Sequence, residues 1–137
     1  MLEYDCGHRP ARREPVEPKA LFRIASVSKP ITAVTVMGLV GSGRLELDTR
    51  VFDCLDLKPV LAPGAAPDPR LRRITVRHLL QHTAGWDRTQ SGDPMFRSRE
   101  IAQAVGMPSP ATPDAIIRYM LGRSLDFDPG ARHAYSN

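Results

Sequence analysis

The chain has 137 residues, 19 of them basic and 15 acidic, for a formal net charge of +4, a length that suits one domain with a moderate core. Sixteen of the basic residues are arginine, scattered apart from small clusters at Arg9, Arg12, Arg13 and at Arg70, Arg72, Arg73, and aromatics make up only 6%, so the basic stripe with interleaved rings of a nucleic-acid binder is absent. The longest nearly apolar run, Ile31 to Gly41, is half a membrane span, the start Met1-Leu2-Glu3-Tyr4-Asp5 is not a signal peptide, and Cys6 and Cys54 form no metal or redox spacing.

Residues 2–5 read as the tail of a strand, and residues 7–20, polar and proline-rich, as a loop. Leu21 to Ile24 is short, apolar and extended. The first strong helical pattern runs from Ser26 to Val40 and stops at Gly41-Ser42-Gly43. Pro30 falls in the first turn, where the backbone N–H has no intrahelical partner. The apolar positions Ile31, Val34, Met37 and Val40, with Ala33 beside them, predict a buried helix. Leu45 to Leu57 alternates apolar and acidic residues, with Asp48 as the expected N-cap of a short helix. Residues 59–70 form a Pro/Ala/Gly/Asp loop. Thr75 caps a short helix over Val76 to His82, closed by Gly85. Residues 86–111 are low in periodicity and predict an irregular excursion across a pocket mouth. Thr112-Pro113-Asp114 combines cap, N1 proline and first-turn carboxylate. The helix it opens runs to about Gly122 and buries Ile116, Ile117, Met120 and Leu121. Pro129-Gly130 is a turn, and there is no internal repeat.

Two spacings carry chemistry. Ser26 and Lys29 lie three apart at a helix start, hence on one face. A serine hydroxyl attacks at neutral pH only beside a base, and Lys29 serves as one if burial or nearby cations keep it neutral. Tyr135, two residues before Asn137, is the other candidate, since a neighbouring lysinium favours tyrosinate. The residues leave open which of the two takes the proton, and the pair titrates together. Asn137 offers an amide to a substrate carbonyl or to the surroundings of the lysine. The backbone N–H of Ser26, free at a helix start, points where an oxyanion forms. The opposing reading, a capping serine and a solvated lysine, puts a cation where the helix dipole favours anions. His78 and His82 have a zinc-compatible spacing, but no third ligand accompanies them, so they read as capping and packing residues. His8 and His133 read as isolated and exposed, Trp86 as a core plug, and Ser28 and Ser136 as motif residues without a role of their own.

Four segments, in order, resemble the serine hydrolase family of class C β-lactamases, D-alanyl-D-alanine carboxypeptidases and related esterases. They are Leu21-Phe22-Arg23-Ile24-Ala25-Ser26-Val27-Ser28-Lys29-Pro30-Ile31-Thr32-Ala33, Gly43-Arg44-Leu45-Glu46-Leu47-Asp48, Ile74 to Gly85, and Phe127-Asp128-Pro129-Gly130 leading to Tyr135-Ser136-Asn137. The S-x-x-K pattern is a known signature of penicillin-binding enzymes. The resemblance implies an α/β fold, an antiparallel sheet flanked by helices, of which this chain holds the nucleophile helix and helical subdomain while most of the sheet is missing. The expected organisation is a single partial domain over 1–137, with strand remnant and loop over 1–25 and nucleophile helix, helical subdomain and Y-x-N loop over 26–137. The resemblance further implies Ser26, Lys29 and Tyr135 as catalytic residues, Asn137 as a substrate contact, and a third motif with a second oxyanion donor on a strand after the Y-x-N motif. It implies an acyl-enzyme, a small-molecule or peptide substrate (ester, D-alanyl peptide or β-lactam), and no cofactor or metal. A chain stopping at Asn137 is expected to be incomplete and weakly active alone. The competing reading is a non-catalytic binding or interaction fragment that retains the scaffold.

Overall fold

A computed structural model describes residues 18–137. The strand remnant read at 2–5, most of the loop at 7–20, the first arginine cluster, His8 and Cys6 lie outside the described residues. Within them the chain is helical: α1 is Ser28–Gly41, α2 Val51–Cys54, α3 Val76–Leu80, α4 Ser98–Ala104 and α5 Pro113–Leu121. Single 3-10 turns occupy Ala25–Val27, Pro69–Arg73 and Pro94–Phe96. No strand occurs among the described residues, and an antiparallel bridge joins Arg50 to Thr75.

The helix starts follow capping chemistry. Thr75 accepts the His78 N–H, and the His78 ring accepts the Thr75 N–H, a reciprocal cap that opens α3. Thr112 accepts the Ala115 N–H ahead of Pro113. Asp68 and Asp93 cap the 3-10 turns at Pro69 and Pro94 in the same way. Asp48 does not: the short helix α2 begins at Val51 behind Arg50, and Asp48 instead pairs with Arg77 at 2.9 Å. Helix α2 has no side-chain cap at all, its N-terminal neighbour being Arg50, so a reading that looked for a capping carboxylate placed the start too early.

Two cores form. Val51, Leu71, Ile74, Ala84, Leu121 and Leu125 make one, with Trp86 packed half-buried against it. Ile101, Ala102 and Ala111 make the other, where α4 lies against α5. Helix α4 falls inside the stretch expected to be irregular. Its seven residues include an arginine and a glutamate beside a small buried face, too short a pattern to register as a period. On α5, Leu121 is buried as expected but Ile117 is 45% exposed.

Helix α1 departs most from expectation. It has no buried residue, and Ile31, Val34 and Met37 are exposed, continuing the exposed apolar run of Leu21, Phe22, Ile24 and Val27. The opposite side of α1, at Thr32, Ala33 and Val36, lines a cavity of about 450 Å³ whose far wall is Leu79, Leu80 and Trp86. The apolar stripe was legible; what covers it is not among the described residues.

One polar network fixes the segment that leads to the chain's last residues. Asp68, with its side chain 7% exposed, accepts from Arg70 Nη2 at 2.7 Å, from the Arg70 backbone N–H at 2.9 Å and from the Leu125 N–H at 3.0 Å. Arg70 also donates to the Leu125 carbonyl and to Asp128. Bonding to the Arg70 side chain, against an opposing effect of burial and with help from the backbone N–H groups of Arg70 and Leu125, holds the Asp68 carboxyl down from 3.8 to about 2. A carboxyl depressed on folding adds stability above its unfolded pKa, which is lost as pH falls through the folded value. The contribution is about 2 kcal/mol at neutral pH. Asp68→Asn is therefore expected to melt lower at pH 7 and to lose less stability than wild type between about pH 4 and pH 2. Parallel curves in thermal melts across that range would count against it.

Candidate active site

The site forms where the start of α1 meets the returning segment 130–137. Ala25 sits at φ +44, a left-handed conformation unusual for a residue with a Cβ. The turn is held by the Val27 N–H on the Ile24 carbonyl at 3.0 Å and by the Ser28 hydroxyl on the Ala25 carbonyl at 2.8 Å. Ser28, read as roleless, thus ties down the turn that presents Ser26. Among the described residues the Ser26 backbone N–H has no acceptor, as an oxyanion donor at a helix start requires.

The returning segment is positioned by the loop after α3. The His82 carbonyl accepts the Ala134 N–H at 2.9 Å, the Thr83 carbonyl the Gly130 N–H at 2.8 Å, and the Gly85 carbonyl the Asp126 N–H at 2.8 Å. Asp87, a buried carboxylate, adds a clamp. It accepts from Thr89, Gln90 and, at 2.8 Å, from Arg132. Those bonds, with Thr89 foremost and Arg132 next, hold its carboxyl far below the usual carboxylate range. Asp126 in turn accepts the Asp87 N–H at 2.7 Å and the Ser91 hydroxyl. Asp87 and Asp126 were not singled out in the sequence, because nothing local distinguishes them from solvated loop carboxylates.

These contacts bring the four sequence candidates together. The hydroxyls of Ser26 and Tyr135 lie 2.8 Å apart although 109 residues separate them. Lys29 Nζ donates to Asn137 Oδ1, and Tyr135 Oη is 3.4 Å from the same oxygen. The Lys29 ammonium lies 5.0 Å from the centre of the Tyr135 ring and the Arg88 guanidinium 4.8 Å from it, within range of cation–π attraction. Hydrogen bonding to Lys29, then to Ser26, with the charges of Lys29 and Arg88 behind them, pulls the Tyr135 phenol below its ordinary value. Lys29 reaches Ser26 through the tyrosine and asparagine rather than by a direct hydrogen bond.

Two residues, Asp93 and Arg88, were missed, and a third, His82, was read only as a capping and packing residue. Asp93 Oδ2 accepts the Asn137 amide at 2.6 Å, which turns the amide oxygen toward Lys29; its own signal, Asp before Pro, announced only a cap. Arg88 lies on the tyrosine ring in a stretch without periodicity. His82 lies with its ring 4.7 Å from that of Tyr135, and burial, then His133 and Lys29, lower its pKa. His133 is exposed as read but not isolated, since its ring stands edge-on to His82 at 5.8 Å. Among the described residues no group of acidic, histidine and cysteine side chains has the arrangement of a metal site, and no helix is long and apolar enough to cross a membrane.

The sequence matches the family model described as Beta-lactamase over residues 4–137. It is 32% identical over 124 residues to the probable fimbrial assembly protein FimD, serogroup H1, of Dichelobacter nodosus, covering 90% of this chain and 28% of that protein. It is 34% identical over 126 residues to esterase EstB of Burkholderia gladioli, covering 89% and 30% respectively. It is 37% identical over 121 residues to penicillin-binding protein 4 of Amycolatopsis lactamdurans, covering 78% and 29%. The chain thus spans less than a third of the length of each of these curated relatives.

Proposed function

The chain belongs to the beta-lactamase family, and on that premise we propose that it carries the nucleophile, proton-transfer pair and substrate-orienting amide of a serine hydrolase that works through an acyl-enzyme. The observation that carries the reading is the 2.8 Å approach of the Ser26 and Tyr135 hydroxyls beside Lys29. With Tyr135 ionised, its oxygen accepts the Ser26 proton as Oγ bonds to the substrate carbonyl carbon. The carbonyl electron pair moves to oxygen, where the Ser26 N–H stabilises it. Collapse of this intermediate expels the leaving oxygen or nitrogen, which takes the proton from Tyr135. Water then repeats the sequence on the acyl-serine and regenerates the free enzyme. Lys29 keeps the phenolate ionised, and Asn137, oriented by Asp93, offers its position to the acyl substituent.

The substrate is a carboxylic ester, a D-alanyl peptide or a β-lactam, with ester or peptide favoured: the relatives include an esterase and a penicillin-binding protein. A hydrolase needs a second oxyanion donor and cover for the apolar face of α1. We place both, with the sheet, in sequence outside this segment, in keeping with the small share of each relative that it spans. The 137 residues then form one partial domain and react slowly by themselves.

Incubating the full-length protein with a fluorophosphonate and mapping the adduct by mass spectrometry is expected to give one phosphonyl adduct, on Ser26, formed with loss of fluoride. The 137-residue segment is expected to label at least about tenfold more slowly, since one missing oxyanion donor costs about 10²–10³ in rate. Modification elsewhere, or none in the full-length protein, would leave a binding fragment as the better description.

A further inference from the structure

We infer that His82 is a positioning residue for this reaction: its neutral imidazole is the platform that holds the Tyr135 hydroxyl against Ser26. The inference rests on the hydrolase reading above. His82 follows α3 at φ +54, a left-handed conformation that a residue with a Cβ adopts at a cost. Glycine would make the same turn without strain, and histidine is among the few other residues that tolerate it, so the turn permits a histidine without requiring one.

The side chain supplies one. The imidazole lies 4.7 Å from the Tyr135 ring at an interplanar angle of 32°. Its Nδ1 accepts the Ser136 N–H at 3.4 Å, while its own carbonyl accepts the Ala134 N–H at 2.9 Å. A single residue therefore holds Tyr135 by its ring and by the backbone on either side of it. An Nδ1 that accepts is unprotonated, so the ring proton sits on Nε2. The groups around it are Lys29 on α1, His133 and Tyr135 on the returning segment, and Arg88 against the tyrosine ring. In that largely cationic company the neutral imidazole supports the phenol without adding charge.

Two substitutions in the full-length protein separate the contributions. His82→Phe keeps a ring and loses the acceptor. His82→Asn keeps an acceptor, tolerates the left-handed backbone and loses the ring. Each is expected to slow fluorophosphonate labelling of Ser26 by about 10- to 100-fold, as small misplacements of a reacting group do, with kcat lowered and KM little changed. In a Tyr135→Phe background neither is expected to slow labelling further, because the effect passes through the tyrosine. A merely structural role predicts losses that follow the melting temperature and multiply with Tyr135→Phe. Wild-type labelling rates in both folded variants, or full multiplication with Tyr135→Phe, would overturn the inference while leaving Ser26 as nucleophile. Absence of labelling in the wild-type protein would instead remove the hydrolase reading, and His82 with it.

Discussion

Ser26→Ala in the full-length protein is expected to abolish the covalent adduct and to lower kcat/KM on an activated ester by about 10³-fold or more, the loss typical of removing a nucleophile that acts as part of a unit. Tyr135→Phe is expected to cost about 10²–10⁴-fold, the range of a positioned proton-transfer group. The double variant should be little worse than Ser26→Ala, because without a nucleophile there is no proton for the tyrosine to take. The Tyr135 phenol is held below its ordinary pKa, foremost by Lys29. Its active form as base is the phenolate, so kcat/KM should rise with pH through that lowered pKa and flatten above it. The rise should be missing from Tyr135→Phe, while Lys29→Met should shift it toward the ordinary tyrosine value near 10. A Tyr135→Phe variant within about threefold of wild type at neutral pH, well short of the range for a proton-transfer group, would exclude the tyrosine from proton transfer.

Gly85→Ala is expected to be strongly damaging to the scaffold of the site. Gly85 sits at φ +121, which L side chains rarely adopt, and an added Cβ would lie 2.8 Å from the Phe127 carbonyl oxygen and 3.0 Å from a Leu125 methyl. The same glycine carbonyl accepts the N–H groups of Asp126 and Phe127, so the loop and the returning segment cannot separate without losing both bonds. Backbone strain and overpacking together are expected to cost about 3 kcal/mol, a large part of a typical domain's 5–15 kcal/mol. Thermal melting should show a fall of several degrees. Labelling of Ser26 should fall as well, since the displaced segment carries Tyr135. An unchanged melt would mean that the loop accommodates the methyl group by shifting, and that the close approach at Gly85 is not what holds the segment.

Local chemistry made much of this legible. The caps at Thr75 and Thr112, the stop after Val40 and the spacing of Ser26 and Lys29 are all decided within a few residues, where propensity and hydrogen bonding act directly. Helix α4 escaped because a seven-residue helix with a small buried face shows less than two full periods. The pattern after Thr75 predicts a helix to His82 closed by Gly85, whereas α3 ends at Leu80 and the chain already turns left-handed at His82; glycine is the usual signal for such a turn, and a histidine there reads equally well as helix.

By itself, the sequence determined the parts: a serine three residues before a lysine at a helix start, a tyrosine and an asparagine two apart, and the order of segments that marks the family; it placed Ser26 inside the helix, whereas Ser26 sits on a 3-10 turn ahead of α1. Only the tertiary structure decided how they meet. The 2.8 Å contact between Ser26 and Tyr135 depends on carboxylates at 68, 87 and 126 that pair with arginines and backbone N–H groups distant in sequence. Asp93 and His82 likewise acquire their roles only when separate loops close on one another. A single chain carries no local trace of such pairings. The energy of a buried hydrogen bond depends on what the fold brings within about 3 Å, and residue type constrains that only weakly.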